Sequence, residues 1–353
     1  VYGRGGAIPN REVRIYVGSA GTAARFITAM LALSDGEYLV EASPQMMLRP
    51  MKPLLASLSA LGARFEFLGQ PDCLPYRIRG TKAPAGTVSL QANISSQFLS
   101  ALLLAGVGGE RDLEIIIDGE VAAKPYVEMT LAMMRQFGVN VENRSFRRFL
   151  IPAGQRYCGN SQYLIEPDIS NANYFFALAT LTGGTVLVRN VKLEALQGDI
   201  GFLKVLKQLG SQVEQTPEGV RVTGPRDGVY PGLTADLGGT PDQTMTLAAL
   251  APFATGPTVI KNVGIIKYHE SNRLLAIRTE LTKMGVRCEE TEDGLIIQPG
   301  QPQPAAVETY DDHRMAMAFA LMGVRSEGIR ILNPGCTAKT FEGYFELLSQ
   351  MLK

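Results

Sequence analysis

Leu209-Gly210-Ser211-Gln212-Val213-Glu214-Gln215-Thr216-Pro217-Glu218-Gly219-Val220-Arg221-Val222-Thr223 reads as a helix end closed by glycine, followed by two alternating strand segments about a turn. Gly210 reads as a C-cap, because glycine alone enters the left-handed region at no steric cost. Segments 213–215 and 220–223 then alternate about Pro217-Glu218-Gly219 as a hairpin does. The same helix end recurs at Leu61-Gly62, Phe137-Gly138 and Met284-Gly285, spaced by roughly 75 residues, too long a period for a common solenoid. Between these ends lies a second repeated element, a strand, a polar loop and a helix rich in Ala, Leu and Met. Its loops are Gly18-Ser19-Ala20-Gly21-Thr22, Asn93-Ile94-Ser95-Ser96-Gln97, Asp168-Ile169-Ser170-Asn171, Gly239-Thr240-Pro241-Asp242-Gln243 and Tyr310-Asp311-Asp312-His313-Arg314. A second helix in each copy starts near Arg49-Pro50, Lys124-Pro125, Gly198-Asp199, Glu270-Ser271 and Ala338-Lys339.

The unit is therefore βαβαββ. One such unit cannot bury both helices by itself, so copies must pack helix on helix with their sheets turned to water. The expected fold is α/β (α+β): two domains, 1–165 and 166–353, each a bundle of parallel helices with sheets outside. Helices that share a direction gather their N-termini, with free N–H groups and the positive dipole end, at one end of each domain, which makes that end a trap for anions. The last helix, expected at 341–353, has no strand pair after it, and the chain opens at Val1 on Gly3-Arg4-Gly5-Gly6 without a methionine. The expectation is an upstream segment that completes the last sheet, leaving the first domain incomplete at its N-terminus.

With 353 residues and 46% hydrophobic content the chain can form two cores. Lys plus Arg and Asp plus Glu both number 34, so nothing in the net charge points to nucleic acid or an anionic membrane. The four cysteines, Cys73, Cys158, Cys288 and Cys336, show no metal spacing and read as free thiols of a reducing compartment. No apolar run has membrane length. A cytoplasmic monomer without metal or cofactor is expected.

The two histidines, His269 and His313, both fall in charged clusters at helix starts, Lys267-Tyr268-His269-Glu270-Ser271-Asn272-Arg273 and Asp311-Asp312-His313-Arg314. Asp, Ser and Asn at such places serve as caps in the plainest reading. Five polar helix starts, three of them followed closely by Arg25, Arg273 or Arg314, point further. Guanidinium groups grip phosphate and carboxylate bidentately, so Arg49, Arg273, Arg314 and Lys339 suggest a small ligand bearing both. Among those cations Glu270 would stay ionised, and Asp242 could accept a hydroxyl proton as general base; both also suit capping. Ser95 and Ser96 are an N-cap pair or phosphate contacts, and Gly21 permits close approach of a ligand to the backbone. No glycine-rich nucleotide loop ending in Gly-Lys-Ser/Thr is present, and no dinucleotide fingerprint. Cys336 and the methionine-rich helix 315–322 read as core.

These residues resemble the 5-enolpyruvylshikimate-3-phosphate synthases, or 3-phosphoshikimate 1-carboxyvinyltransferases. Gly18-Ser19-Ala20-Gly21-Thr22-Ala23-Ala24-Arg25 is similar to the family's GNAGTAxR, Ser95-Ser96-Gln97 to its SSQ, Asp312-His313-Arg314-Met315-Ala316 to its DHRxAM segment, and Cys336-Thr337-Ala338-Lys339-Thr340-Phe341 to its late Cys-x-x-Lys pattern. The resemblance covers essentially the whole chain. It implies two domains of three repeat units each, closing on substrate at a hinge, and a reaction that joins phosphoenolpyruvate to the 5-hydroxyl of shikimate 3-phosphate with loss of phosphate. By carry-over Ser95, Ser96, Gln97, Tyr126, Asp242 and His269 hold shikimate 3-phosphate, and Gly21, Arg49, Gln97, Arg273, Arg314 and Lys339 hold phosphoenolpyruvate. Asp242 takes the hydroxyl proton and Glu270 serves the methylene carbon, with no cofactor. The family's Lys-Ser motif lies upstream of Val1, His269 stands where Lys is usual, and Ala123 stands where a Ser is common. Two rival readings are a UDP-amino-sugar enolpyruvyl transferase, against which Asp311-Asp312-His313-Arg314 and Lys339 argue, and a ligand-binding or structural relative with an altered site.

Overall fold

The computed structural model describes residues 8–81, 85–160 and 162–352, so the opening at Val1 and Gly3-Arg4-Gly5-Gly6 lies outside them. The chain divides into two compact units between Tyr163 and Leu164, against the boundary expected after residue 165.

The first unit holds two complete copies of the repeat. One runs β1 (Glu12–Tyr16), α1 (Gly21–Ala32), β2 (Glu37–Glu41), a short α2 (Pro44–Met47), α3 (Lys52–Ala60), β3 (Arg64–Phe67) and β4 (Tyr76–Arg79). The other runs β5 (Gly86–Gln91), α4 (Ser96–Ala105), β6 (Leu113–Asp118), α5 (Lys124–Gln136), β7 (Glu142–Arg144) and β8 (Arg148–Ile151). Each forms a four-stranded sheet with the same order, β1-β2-β4-β3 and β5-β6-β8-β7. In each the first two strands are parallel and the rest antiparallel.

In the second unit the copies vary. The third consists of α6 (Ile169–Thr182), β9 (Thr185–Arg189), a 3-10 turn Gly198–Gly201 leading into α7 (Phe202–Gln208), β10 (Gln212–Gln215) and β11 (Gly219–Thr223), a three-stranded sheet. The fourth is complete: β12 (Thr234–Asp236), a 3-10 turn Pro241–Gln243, α8 (Thr244–Leu250), β13 (Thr258–Lys261), a 3-10 turn Gly264–Tyr268, α9 (Arg273–Lys283), β14 (Cys288–Glu290) and β15 (Leu295–Ile297), again ordered β12-β13-β15-β14. The fifth has β16 (Ala305–Val307), α10 (His313–Met322), the parallel partner β17 (Ile329–Ile331), a 3-10 turn Pro334–Lys339 and α11 (Tyr344–Met351).

The four repeated glycines all have positive φ, between 74° and 105° at Gly62, Gly138, Gly210 and Gly285, but each stands one place beyond the cap residue itself. Each closes the same pair of bonds. The glycine N–H donates to the carbonyl three residues back, at 2.9–3.0 Å, and the following N–H to the carbonyl five back, as from Ser211 to Leu206 at 3.0 Å. That is the Schellman motif. The expected hairpin after Gly210 forms as β10 and β11.

Helix starts differ from expectation where proline or a 3-10 turn intervenes. The helix expected near Arg49-Pro50 begins at Lys52, after the N-cap Met51 and with Pro53 in its first turn, where a missing N–H costs nothing. That expected near Glu270-Ser271 begins at Arg273, and the terminal helix, expected from 341, begins at Tyr344 after the 3-10 turn that ends at Lys339.

Strands alternate, as in β4, where Tyr76 and Ile78 are buried and Arg77 and Arg79 face outward. The first core gathers on Phe98, Leu99, Leu102 and Leu103 of α4, the second on α6, α8 and α10, which are buried on nearly every side. Helices apolar all round belong in a core. Met315, Met317 and Met322 are fully buried there, whereas Cys336 is half-buried.

Candidate active site

In the second unit, Asp242 lies in the 3-10 turn before α8, whose N-cap makes no side-chain bond. The cap of α9 is Asn272, whose Oδ1 accepts the Leu275 N–H at 3.3 Å. Neither Asp242 nor Glu270 caps a helix.

Arg273, 1% exposed, is the centre of the cluster. Its Nε donates to Asp312 Oδ2 at 2.8 Å, and its Nη2 to Glu270 Oε2 at 2.9 Å and Asp312 Oδ1 at 3.2 Å. Its Nη1 donates to Asp242 Oδ1 at 2.8 Å and meets His269 Nδ1 at 3.0 Å. The carboxylates thus take four of the five N–H groups of the guanidinium. Around this hub, Arg314 Nη2 pairs with Asp242 Oδ2 at 2.9 Å, and Lys339 Nζ donates to Glu270 Oε1 at 2.8 Å. Asp312 also accepts from Ser271 Oγ at 3.0 Å and, as cap of α10, from the Arg314 N–H at 3.0 Å.

Burial alone would raise the Asp242 and Asp312 carboxyls, but Arg314, His269 and Arg273 hold Asp242 well below the carboxylate range, and Arg273 holds Asp312 below it. Burial would likewise lower Arg273, yet Asp312, Glu270 and Asp242 raise it. His313 is pushed down to about 3, first by burial and then by Arg314, so it is neutral at pH 7. Arg273, one of the residues expected at the ligand, pairs with three carboxylates here. The more open members are Lys339, His269, Asp242, Glu270 and Arg314, with side chains between 13% and 24% exposed.

In the first unit the starts of α1 and α4 meet. Arg25, buried on α1, donates from Nη1 to Gln97 Oε1 at 2.5 Å and from Nη2 to the Pro50 carbonyl at 3.3 Å, and lies 5.1 Å over the Phe98 ring. Gln97 Nε2 donates to Thr22 Oγ1 at 3.1 Å. A Cβ on Gly21 would stand 2.6 Å from Arg49 Nη1 and 2.7 Å from Arg25 Nη1. Only glycine leaves both guanidiniums in place at the head of α1. Ser95 caps α4, accepting the Gln97 N–H at 3.3 Å, and Ser96 is buried beside it. Tyr126 is half-buried in the first turn of α5, whose N-cap is Ala123 in the left-handed region at φ 47°.

Residues outside the expected set are Arg25, Asp312 and Asp199. Arg25 and Asp312 stood in the quoted motifs but were given no role. Asp199 reads in the sequence only as a helix start. It is buried, accepts from Ser170 Oγ and from Gln243 Nε2 at 3.2 Å, and burial pushes its carboxyl up. Among the described residues no group of three or more His, Cys, Asp or Glu is placed to hold a metal, and no helix is long and apolar enough to cross a membrane.

A family model described as EPSP synthase (3-phosphoshikimate 1-carboxyvinyltransferase) matches residues 1–348. The chain belongs to the EPSP synthase family. Its relatives include a 3-phosphoshikimate 1-carboxyvinyltransferase of Trichormus variabilis, 45% identical over 352 residues, covering 100% of this chain and 82% of that protein. Another, from Vibrio cholerae, is 41% identical over 97% of this chain and 80% of its own length. Among solved structures, the EPSP synthase of Acinetobacter baumannii superposes with a TM-score of 0.76 at 25% identity, covering 96% of this chain and 78% of that one. The family fold is thus the two-unit α/β arrangement described above.

Proposed function

We propose that this chain transfers the enolpyruvyl (carboxyvinyl) group of phosphoenolpyruvate to the 5-hydroxyl of shikimate 3-phosphate and releases phosphate. The observation that carries the reading is the cluster of Arg273, Arg314 and Lys339 interleaved with Asp242 and Glu270. Such a cluster offers cations to a ligand with phosphate and carboxylate, and ionised carboxylates to the protons that must move. Ser95, Ser96, Gln97 and Tyr126 are assigned to shikimate 3-phosphate together with Asp242 and His269. Gly21, Arg49, Gln97, Arg273, Arg314 and Lys339 are assigned to phosphoenolpyruvate. Domains are assigned as 1–165 and 166–353, and the chain is taken as a cytoplasmic monomer.

The 5-hydroxyl oxygen bonds to C2 of phosphoenolpyruvate while C3 gains a proton, giving a tetrahedral intermediate. Loss of the C3 proton then breaks the bond from C2 to the phosphate oxygen and restores the double bond. Asp242 takes the hydroxyl proton and Glu270 carries the C3 proton in both directions. Paired with Arg314, Asp242 is a poor base. A substrate anion that draws Arg314 toward itself raises the proton affinity of Asp242 just when the hydroxyl arrives.

The test is phosphate release from both substrates, using this chain and a version of the length of its relatives. Release that needs both substrates and falls at least ~100-fold in Asp242→Asn is the expected result. No release from either length overturns the catalytic reading and leaves a ligand-binding relative.

A further inference from the structure

Arg273 and Glu280 stand seven residues apart on α9, two turns with only about 20° of drift, and so share one stripe of the helix. Both are buried charges, at 1% and 0% exposure. Both bind the same piece of chain. Arg273 holds Asp312, and Glu280 holds the turn before it: Tyr310 O–H donates to Glu280 Oε1 at 2.6 Å and the Glu308 N–H to Oε2 at 3.1 Å. Lys283 Nζ completes the shell, at 2.8 and 3.0 Å from the two oxygens.

The turn so gripped is unusual. Tyr310 and Asp311 both lie in the left-handed region, at φ 55° and 53°, where two successive non-glycine residues are strained. The Glu308 carboxylate accepts the N–H groups of Thr309 and Tyr310 at 3.1 and 3.2 Å, and the Asp312 N–H donates to the Thr309 carbonyl at 2.9 Å. The strained turn thereby delivers Asp312 to Arg273 and starts α10 with Arg314 in its first turn. A buried carboxyl group is a costly way to secure packing, since an apolar residue of similar size serves stability as well. A strained turn that must present a cation in one orientation needs something more directional.

We propose that Glu280 and Tyr310 are positioning residues for the transferase reaction, holding the 308–312 turn so that Asp312, Arg273 and Arg314 keep the arrangement that receives the anionic substrate. The inference rests on the function proposed above.

The variants are Tyr310→Phe, which removes one hydroxyl, and Glu280→Leu, which removes the whole grip while filling its space. Phosphate release is measured with each substrate varied in turn, thermal melts are recorded alongside, and Glu280→Gln, which can still accept from Tyr310, serves as partial rescue. Tyr310→Phe is expected to raise the KM for phosphoenolpyruvate about tenfold, the scale of one hydrogen bond to a charged group, with the KM for shikimate 3-phosphate within twofold. Glu280→Leu should do the same more strongly, and Glu280→Gln should fall between it and the parent. If Tyr310→Phe melts lower but keeps both KM values and kcat within twofold, the grip is structural only and the proposal is overturned. If the parent releases no phosphate, the functional reading has failed instead. The proposal is then decided by calorimetric titration of phosphoenolpyruvate into parent and Tyr310→Phe, where equal affinity, or no binding by the parent, overturns it.

Discussion

Arg273 shows how one buried side chain can set the charge state of its surroundings. A single guanidinium pairs with three carboxylates, helps to hold Asp242 and Asp312 ionised, and is itself held charged because they surround it. Removing one partner leaves a buried charge undercompensated. Asp312→Asn tests this cleanly, since asparagine caps a helix as well as aspartate does and α10 keeps its start. A loss of about 3 kcal/mol in urea unfolding is expected, and a change under about 0.5 kcal/mol, the range of an ordinary surface substitution, would show that Asp312 is not needed to balance Arg273. His313 makes a second, pH-dependent case. Its folded pKa of about 3 lies below the ordinary 6.5, so the folded chain binds fewer protons than the unfolded chain between those values. Its contribution is complete above pH 6.5 and is lost as pH falls toward 3, at up to about 1.4 kcal/mol per pH unit. Asp242 and Asp312, depressed, add the same sign only below the usual carboxylate range. Asp199, raised, acts oppositely, favouring the fold while protonated and losing that as pH rises. Unfolding free energy measured from pH 4 to 6.5 should therefore rise less steeply with pH in His313→Asn than in the parent; parallel slopes would mean that His313 is not held neutral.

At the scale of elements, four helices end in one bonded motif, and the glycine in each has a separable role. Gly285 has φ 74°, and an added Cβ would meet only Gln303 Cγ at 3.6 Å. Gly285→Ala should thus cost the left-handed penalty alone, about 1 kcal/mol. Gly224, just after β11 and outside that motif, is different, since a Cβ there would stand 1.9 Å from the Ala179 carbonyl oxygen, a clash between backbones that side-chain rotation cannot relieve. Gly224→Ala should cost about 3 kcal/mol or more. Equal melting shifts for the two variants would contradict this division into conformational and steric causes.

At the scale of the molecule, two cores divide the chain between Tyr163 and Leu164. Residues 155–168 form neither helix nor strand among those described, and Leu164 and Ile165 are more than four-fifths exposed. Exposed, irregular chain is where proteases cut first. Brief chymotrypsin treatment should cleave after Tyr163 or Leu164 and yield two fragments of near-equal length; first cuts within α6 or α8 would mean that the second core opens more readily than this segment.

The repeat was legible in the linear sequence because helix-ending glycines and period-two strands are local signals, each set by a few neighbouring dihedrals. So Gly62, Gly138, Gly210 and Gly285 marked the units, and the five polar loops marked the helix starts. The cluster at Asp242, Glu270, Arg273, Arg314 and Lys339 was legible as a set of residue types at those starts. How each of them is paired was not. Arg273 and Arg314 look alike along the chain, yet one is enclosed by three carboxylates and the other is partly open. Asp199, Glu280 and Tyr310 gave no sign of their bonding, because each acts on groups about 30 residues distant. Burial and pairing across such distances come only from packing the copies together, and they set the charge states of Asp242, Arg273, Asp312 and His313.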